Sequence, residues 1–152
     1  MEIERKFLLN KLPDNLSDYP HHDIEQAYLC RNPVVRIRRQ DDDYILTYKG
    51  GGKMIREEYN LPLNKEAYYH LREKIDGNII TKKRYEIPLN DPKCLDKPLT
   101  IELDIFEGKF EGTILAEVEF ESKEDALSFK PPAWFSEDVT QDSRYHNSTM
   151  SK

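Results

Sequence analysis

The sequence predicts an α+β fold: a closed eight-stranded antiparallel β-barrel with a few short helices packed outside. Two observations predict it. Apolar and polar residues alternate with a period of two along most of the chain, in segments bounded by turn residues. The charged faces of those segments also sort by sign, carboxylates on the first and last strands and cations on the middle ones.

The elements follow in order. "EIERKFLL" sets Glu2, Glu4 and Lys6 on one face against Ile3, Arg5 and Phe7, and a Pro-containing loop, "NKLPDNLSDYPHHD", follows. "IEQAYLC", "VVRIRRQ" and "DYILTYK" read as strands divided by the turns "RNP" and "DDD". "GGGK" introduces "MIREEYNLPL". "NKEAYYHLREKID" changes to helical spacing, with Asn64 as N-cap, Glu66 in the first turn and Gly77 at the stop. Strands resume with "IITKKRYEIPL", "LTIELDIFEG" and "ILAEVEFES", and "KEDALSF" reads as a short helix capped by Ser122. The tail, "KPPAWFSEDVTQDSRYHNSTMSK", reads as irregular, with Trp134 and Phe135 as a patch that packs on the rest. No repeat, linker or boundary interrupts the chain, so a single domain over residues 1–152 is expected.

Parity assigns the faces. Leu99, Ile101, Leu103 and Ile105 oppose Glu102 and Asp104; Ala116 and Val118 oppose Glu117 and Glu119. Val35 and Ile37 oppose Arg36 and Arg38, Tyr48 opposes Lys49, and Tyr85 opposes Lys82 and Arg84. Arg56, Glu58 and Asn60 share a side against Ile55 and Tyr59. On an open sheet these faces would form two like-charged patches with nothing to neutralise them. Closure into a barrel lets the two signs meet across a lumen, sends the apolar faces outward under helices and tail, and removes exposed edges.

Composition narrows the function. Charged residues make up 34% of the chain and the net charge is -6, so no general basic excess attracts nucleic acid or a membrane surface. Aromatics at 11% exclude a disordered chain. Two cysteines, Cys30 and Cys94, make neither a disulfide framework nor a thiolate metal cage, and Cys30 is expected to be small and buried. No apolar run reaches spanning length and the charged N-terminus is no signal peptide, so a cytoplasmic location is expected. His21, His22 and His70 read as surface histidines and His146 is given no role. The glycines at 50–52 lack the Lys-Ser or Lys-Thr of a phosphate loop and read as a hairpin turn.

Lysines and arginines converging on one lumen suit a polyanion such as a phosphate chain. Clustered carboxylates beside them raise one another's pKa and call for a divalent cation; all-oxygen donors select Mg²⁺ or Mn²⁺. A small-molecule polyphosphate bound with metal satisfies both groups, and the chemistry such a site supports is phosphoryl transfer, with water as the nucleophile.

"EIERKFL", with its Glu-x-Glu-x-Lys spacing, resembles the signature of the CYTH superfamily, the triphosphate tunnel metalloenzymes. "QAYL", "VRIRR", "LTYKGGG", "REEY", "KKRYEI", "IELDIFEG", "LAEVEFES" and "PPAWF…DVT…RYHN" continue the resemblance in order along nearly the whole chain. It implies an eight-stranded tunnel binding triphosphates with Mg²⁺ or Mn²⁺. It also implies that Glu2, Glu4, Glu117 and Glu119 hold the metal, joined by Glu58 and by Glu102 or Asp104, which alternatively orients water. Lys6, Arg36, Arg38, Lys49, Arg56, Lys82 and Arg84 are implied to hold the triphosphate, with Lys6 and Tyr28 acting as a catalytic pair. Tyr28 is either a general base or a donor to phosphate. Asn60 stands where family members often carry a further Glu. The family includes inorganic triphosphatases, thiamine and nucleotide triphosphatases and class IV adenylyl cyclases. The compact chain and the Lys6/Tyr28 pair favour inorganic triphosphate, with an organic triphosphate as the alternative and a noncatalytic polyphosphate sensor as a reading from another class. The oligomeric state is left open.

Overall fold

A computed structural model describes residues 1–152. Its strands are β1 (Glu2–Leu9), β2 (His21–Arg31), β3 (Val34–Gln40), β4 (Asp43–Lys49), β5 (Ile55–Arg56), β6 (Glu58–Leu63), β7 (Asp76–Leu89), β8 (Leu99–Phe106), β9 (Ile114–Glu119) and β10 (Phe135–Asp138). Three short helices, α1 (Lys65–Arg72), α2 (Lys123–Ser128) and α3 (Asn147–Met150), accompany them. None is long and apolar enough to cross a membrane.

Hydrogen-bonded neighbours run β1-β9-β8-β7-β2-β3-β4-β6, all antiparallel. Glu57 alone separates β6 from β5, and β5 pairs back onto β1 through Glu2–Arg56 and Ile3–Ile55. Taken as one broken strand, β5 and β6 close a nearly complete ring of eight strands, as the alternation predicted. β10 lies outside this ring, paired with the far end of β1 at Phe7–Asp138 and Leu9–Phe135.

The apolar parity faces outward, under cover. Phe7, Ile101, Leu103, Ala116 and Val118 pack beneath Ala126 of α2, Phe129, Phe135 and Trp134, so the predicted aromatic patch does cover the barrel. Full burial of a side chain such as Phe7 contributes about 1.5–3 kcal/mol. On the opposite side, Ala27 and Ile37 pack against Tyr68 of α1. Asn64 caps α1, its Oδ1 accepting from the Ala67 amide at 2.7 Å, and Ser122 caps α2 through the Asp125 amide at 3.1 Å.

Three expectations need correction. Helix α1 ends at Arg72, well short of Gly77, because Asp76 already begins β7 opposite Tyr28. Gly77 instead permits a close approach: φ is +89°, and a Cβ there would overlap the Ser151 carbonyl and the Arg31 guanidinium. The tail is not wholly irregular, since it supplies β10, a 3₁₀ turn at Ser143–Tyr145 and α3. Cys30 is exposed in β2, where the register slips between Tyr28 and Cys30 and ends strict alternation, whereas Cys94 is buried.

One end of the bore is filled by apolar side chains. Tyr28, Val34, Ile80, Phe106 and Leu115 meet across it and pack with Val139, Tyr145 and Met150 of the tail. Arg31 holds this plug through the Ser148 carbonyl at 2.9 Å and Ser151 Oγ at 3.0 Å, and Asn78 Nδ2 donates to the Lys152 carbonyl at 2.8 Å.

Candidate active site

Above the apolar floor the inward parity becomes almost entirely charged. Because β1 and β9 are antiparallel, Glu4 lies opposite Glu119 and Lys6 opposite Glu117. Arg38, Arg36 and Tyr28 come from β3 and β2, Lys49 and Glu58 from the β4–β6 pair, Arg56 from β5 and Lys82 and Arg84 from β7. All of these and Glu2 border one cavity of about 190 Å³, whose 20 lining residues include only 2 hydrophobic ones. Eight of the lining residues are Lys or Arg and six are Glu, so a chain of net charge -6 encloses a cation-rich chamber.

The cations fall into two groups. Four rest on carboxylates: Lys49 Nζ lies 2.9 Å from Glu2, Lys6 Nζ 3.3 Å from Glu117, Arg84 grips Asp104 with both Nε (2.7 Å) and Nη2 (2.8 Å), and Lys82 Nζ reaches the same Asp104 at 2.7 Å. Arg36 and Arg38 have no carboxylate partner. Arg36 Nη2 donates to Thr47 Oγ1 at 3.3 Å, and its Nε is the one buried side-chain polar atom without a partner. Such a buried orphan donor is costly.

Charge states follow from this packing. Burial, with Arg36 and Arg84 nearby, lowers Arg38 to about 9. Burial also lowers Lys82 to about 7 against the pull of Asp104, with Arg84 and Arg38 adding to the effect. Burial alone would lower Lys6 too, but Glu117 and Glu4 raise it, so its ammonium persists. Among the acids, burial and then Glu117 and Glu2 raise Glu4 to about 8. Burial and a hydrogen bond with Glu58 raise Glu2 to about 7, the two sharing a proton, and Glu119 is raised by burial and Glu102. Burial opposes charge on Glu117, yet Lys6, Arg84, Lys82 and Lys49 hold it well below the ordinary carboxylate value.

The chemistry of these carboxylates suits a hard divalent cation, although no three of them converge on one point in this structure. Glu4 lies opposite Glu119 in the β1–β9 register and Glu2 lies against Glu58; Glu2 and Glu4 keep protons that a cation bound by their oxygens would displace. Asp104 does not fit that set. It is fully buried behind the chamber, does not border the cavity, and has both oxygens engaged by Lys82 and Arg84. Its assignment as a metal ligand is corrected to that of an anchor for two cations. Asn60, at the unusual position, donates to Glu58 at 2.8 Å and accepts from Thr47 at 2.6 Å.

Sequence reading missed the tail's share of the chamber. Thr140, His146, Asn147 and Ser148 border it, as does Lys53. His146 Nε2 sits 3.0 Å from the Thr140 carbonyl and burial lowers its pKa, so the ring is a neutral donor there. The Tyr145 carbonyl accepts from Lys6 Nζ at 3.0 Å. The 3₁₀ turn and four-residue helix that place these groups carry no period to read.

Comparison with known proteins agrees with this architecture. Residues 1–152 match the CYTH domain family. An inorganic triphosphatase from Nitrosomonas europaea is 36% identical over 153 residues, 98% of this chain and 95% of that protein. One from Acetivibrio thermocellus is 32% identical over 155 residues, 99% and 93% respectively. A crystal structure of an inorganic triphosphatase superposes with a TM-score of 0.68 at 32% identity, covering 99% of this chain and 94% of that one.

Proposed function

The chain belongs to the CYTH domain family, and from that premise we propose that it hydrolyses inorganic triphosphate to diphosphate and phosphate. The observation that carries the reading is the 190 Å³ chamber, where uncompensated Arg36 and Arg38 converge with Lys6, Lys49, Arg56, Lys82 and Arg84. That volume is below the ~300–1,000 Å³ of typical small-molecule pockets, which suits a bare phosphate chain better than a whole nucleotide.

Arg36 and Arg38, which have no carboxylate partner, bind and orient the substrate's oxygens, while Lys49, Arg56 and the Asp104-anchored Lys82 and Arg84 line the rest of its path. Positioning and charge neutralisation provide most of the rate in such a transfer. Glu2, Glu4, Glu58, Glu117 and Glu119 would hold Mg²⁺ or Mn²⁺. A divalent cation held there supplies screening of phosphate charge and an acidified water. Tyr28, at the junction of apolar floor and charged wall, handles a proton together with Lys6, as donor to a phosphate oxygen or as acceptor from water. Both cysteines remain free, as a cytoplasmic protein's would.

A second reading, an organic triphosphate, has one observation in its favour. A groove of about 1,010 Å³ with apolar Ile3, Leu99 and Phe120 shares Glu102 and Glu119 with the chamber, giving an organic group somewhere to lie. Purified protein offered triphosphate, ATP and thiamine triphosphate separately, with Mg²⁺ or Mn²⁺, decides between them through phosphate, diphosphate and cyclic AMP release. Triphosphate is expected to give the highest kcat/KM; a higher value for ATP transfers the assignment to the second reading, and binding without turnover makes the protein a sensor. Glu119→Gln is expected to lose cation-dependent turnover, and a wild-type rate in that variant removes Glu119 from the metal set.

A further inference from the structure

We propose that Gln26 and Asn147 are positioning residues, an amide pair in which Gln26 aims Arg38 into the chamber without neutralising it and Asn147 ties that support to the Asp104-paired Lys82. The inference rests on the triphosphate reading above and identifies what sets the charge available to that substrate.

Gln26 is fully buried in β2. Its Oε1 accepts from Arg38 twice, Nε at 2.9 Å and Nη2 at 2.6 Å. Its Nε2 donates to Asn147 Oδ1 at 2.8 Å, and that same oxygen accepts from Lys82 Nζ at 2.9 Å. The orientation of both amides is forced. A guanidinium and an ammonium only donate, so each must meet a carbonyl oxygen, and Gln26 then has only its NH₂ to offer Asn147.

The neutrality of this pair sets it apart from the other supports in the chamber. Lys49, Lys6 and Arg84 each rest on a carboxylate that cancels charge as it fixes geometry. Gln26 gives Arg38 one oxygen that accepts two hydrogen bonds, yet leaves its full positive charge to whatever anion arrives. A buried cation without a counterion is expensive, and two short hydrogen bonds to one amide oxygen offset part of that cost while no anion is bound. Asn147 extends the support to Lys82 from α3, so the folded tail contributes a side chain to the site rather than only blocking the bore.

The isosteric change Gln26→Glu separates positioning from mere structure. It keeps the shape and the acceptor, makes an ion pair with Arg38 and cancels its charge, while replacing the NH₂ that donates to Asn147 with a second acceptor. The expected result is a KM for triphosphate raised about tenfold or more in a protein that still folds. Gln26→Met, which removes the hydrogen bonds without adding charge, is expected to lower Tm while raising KM less than the Glu variant. Asn147→Asp is expected to raise KM less than Gln26→Glu, because Asp104 already pairs with Lys82 at 2.7 Å. Calorimetric titration of each protein with triphosphate in a chelator reports affinity independently of turnover. Wild-type KM and affinity in a folded Gln26→Glu protein overturn the positioning role and leave the proposed activity standing. A wild-type protein that binds but never cleaves triphosphate, with binding weakened in Gln26→Glu, overturns the activity and supports the positioning role.

Discussion

In the presence of a chelator, this protein should lose stability as pH rises from about 6 to 8. The perturbation acts on Glu4, whose carboxyl is raised from an ordinary 4.5 to about 8 by burial and by the nearness of Glu117 and Glu2. Between those two values the folded protein holds a proton that the unfolded chain has released. Unfolding therefore releases a proton, and rising pH favours it; the loss begins above 4.5 and levels off beyond 8. Each pKa unit corresponds to ~1.36 kcal/mol, so Glu4 alone sets a ceiling on the order of 5 kcal/mol, of which about 2 kcal/mol falls between pH 6 and 8. Glu2, raised to about 7, acts in the same direction, though the two carboxyls repel each other and do not simply add; Lys82, lowered to about 7, opposes them by about 1 kcal/mol, because its folded form gives up a proton that the unfolded chain keeps. At roughly 2–4 °C per kcal/mol for a chain of this size, Tm measured by scanning calorimetry or dye fluorescence should fall by about 4–8 °C. Glu4→Gln should flatten the profile. Mg²⁺ or Mn²⁺ should restore more stability at pH 8 than at pH 6, because at the lower pH it competes with bound protons. A Tm that is level or climbs over this range in chelator, with Glu4→Gln indistinguishable from wild type, would refute the reasoning.

Gly77→Ala should destabilise the protein by about 2 kcal/mol or more, from the positive φ and the overlap with Ser151, and should expose the tail to limited proteolysis. A tail as protease-resistant as wild type would show that the close approach at Gly77 does not hold it. Arg5→Ala should cost about 1–3 kcal/mol by chemical denaturation with KM unchanged. The Arg5 side chain points away from the chamber: it donates to the Ala126 and Phe129 carbonyls at 2.9 and 3.0 Å, pairs with Asp138 at 2.8 Å and lies over the Phe7 ring. A raised KM there would contradict that outward placement.

The barrel and most of the chamber were legible because a strand's period of two is visible in single residues. Glu2, Glu4 and Lys6 could be separated from Ile3, Arg5 and Phe7 by parity alone, and the sorting of charge by strand then required closure. Parity gives direction but not partnership. Asp104 points inward as read, yet whether it faces a ligand or two neighbouring cations depends on depth and shear, which the pattern does not encode. Gln26 shares its parity with Tyr28, but an uncharged side chain drew no notice in a reading guided by charge. His146 and Asn147 lie where the chain makes a 3₁₀ turn and a single helical turn, too short for any repeat, and only the tertiary fold brings them to the chamber.

The plug formed by Val139, Tyr145 and Met150 on Tyr28, Ile80 and Phe106 has a consequence for traffic. With that end filled by apolar side chains, a charged chain would enter and leave on the polar side. On the proposed activity, products are expected to retreat the way the reactant came, and added diphosphate should compete with it.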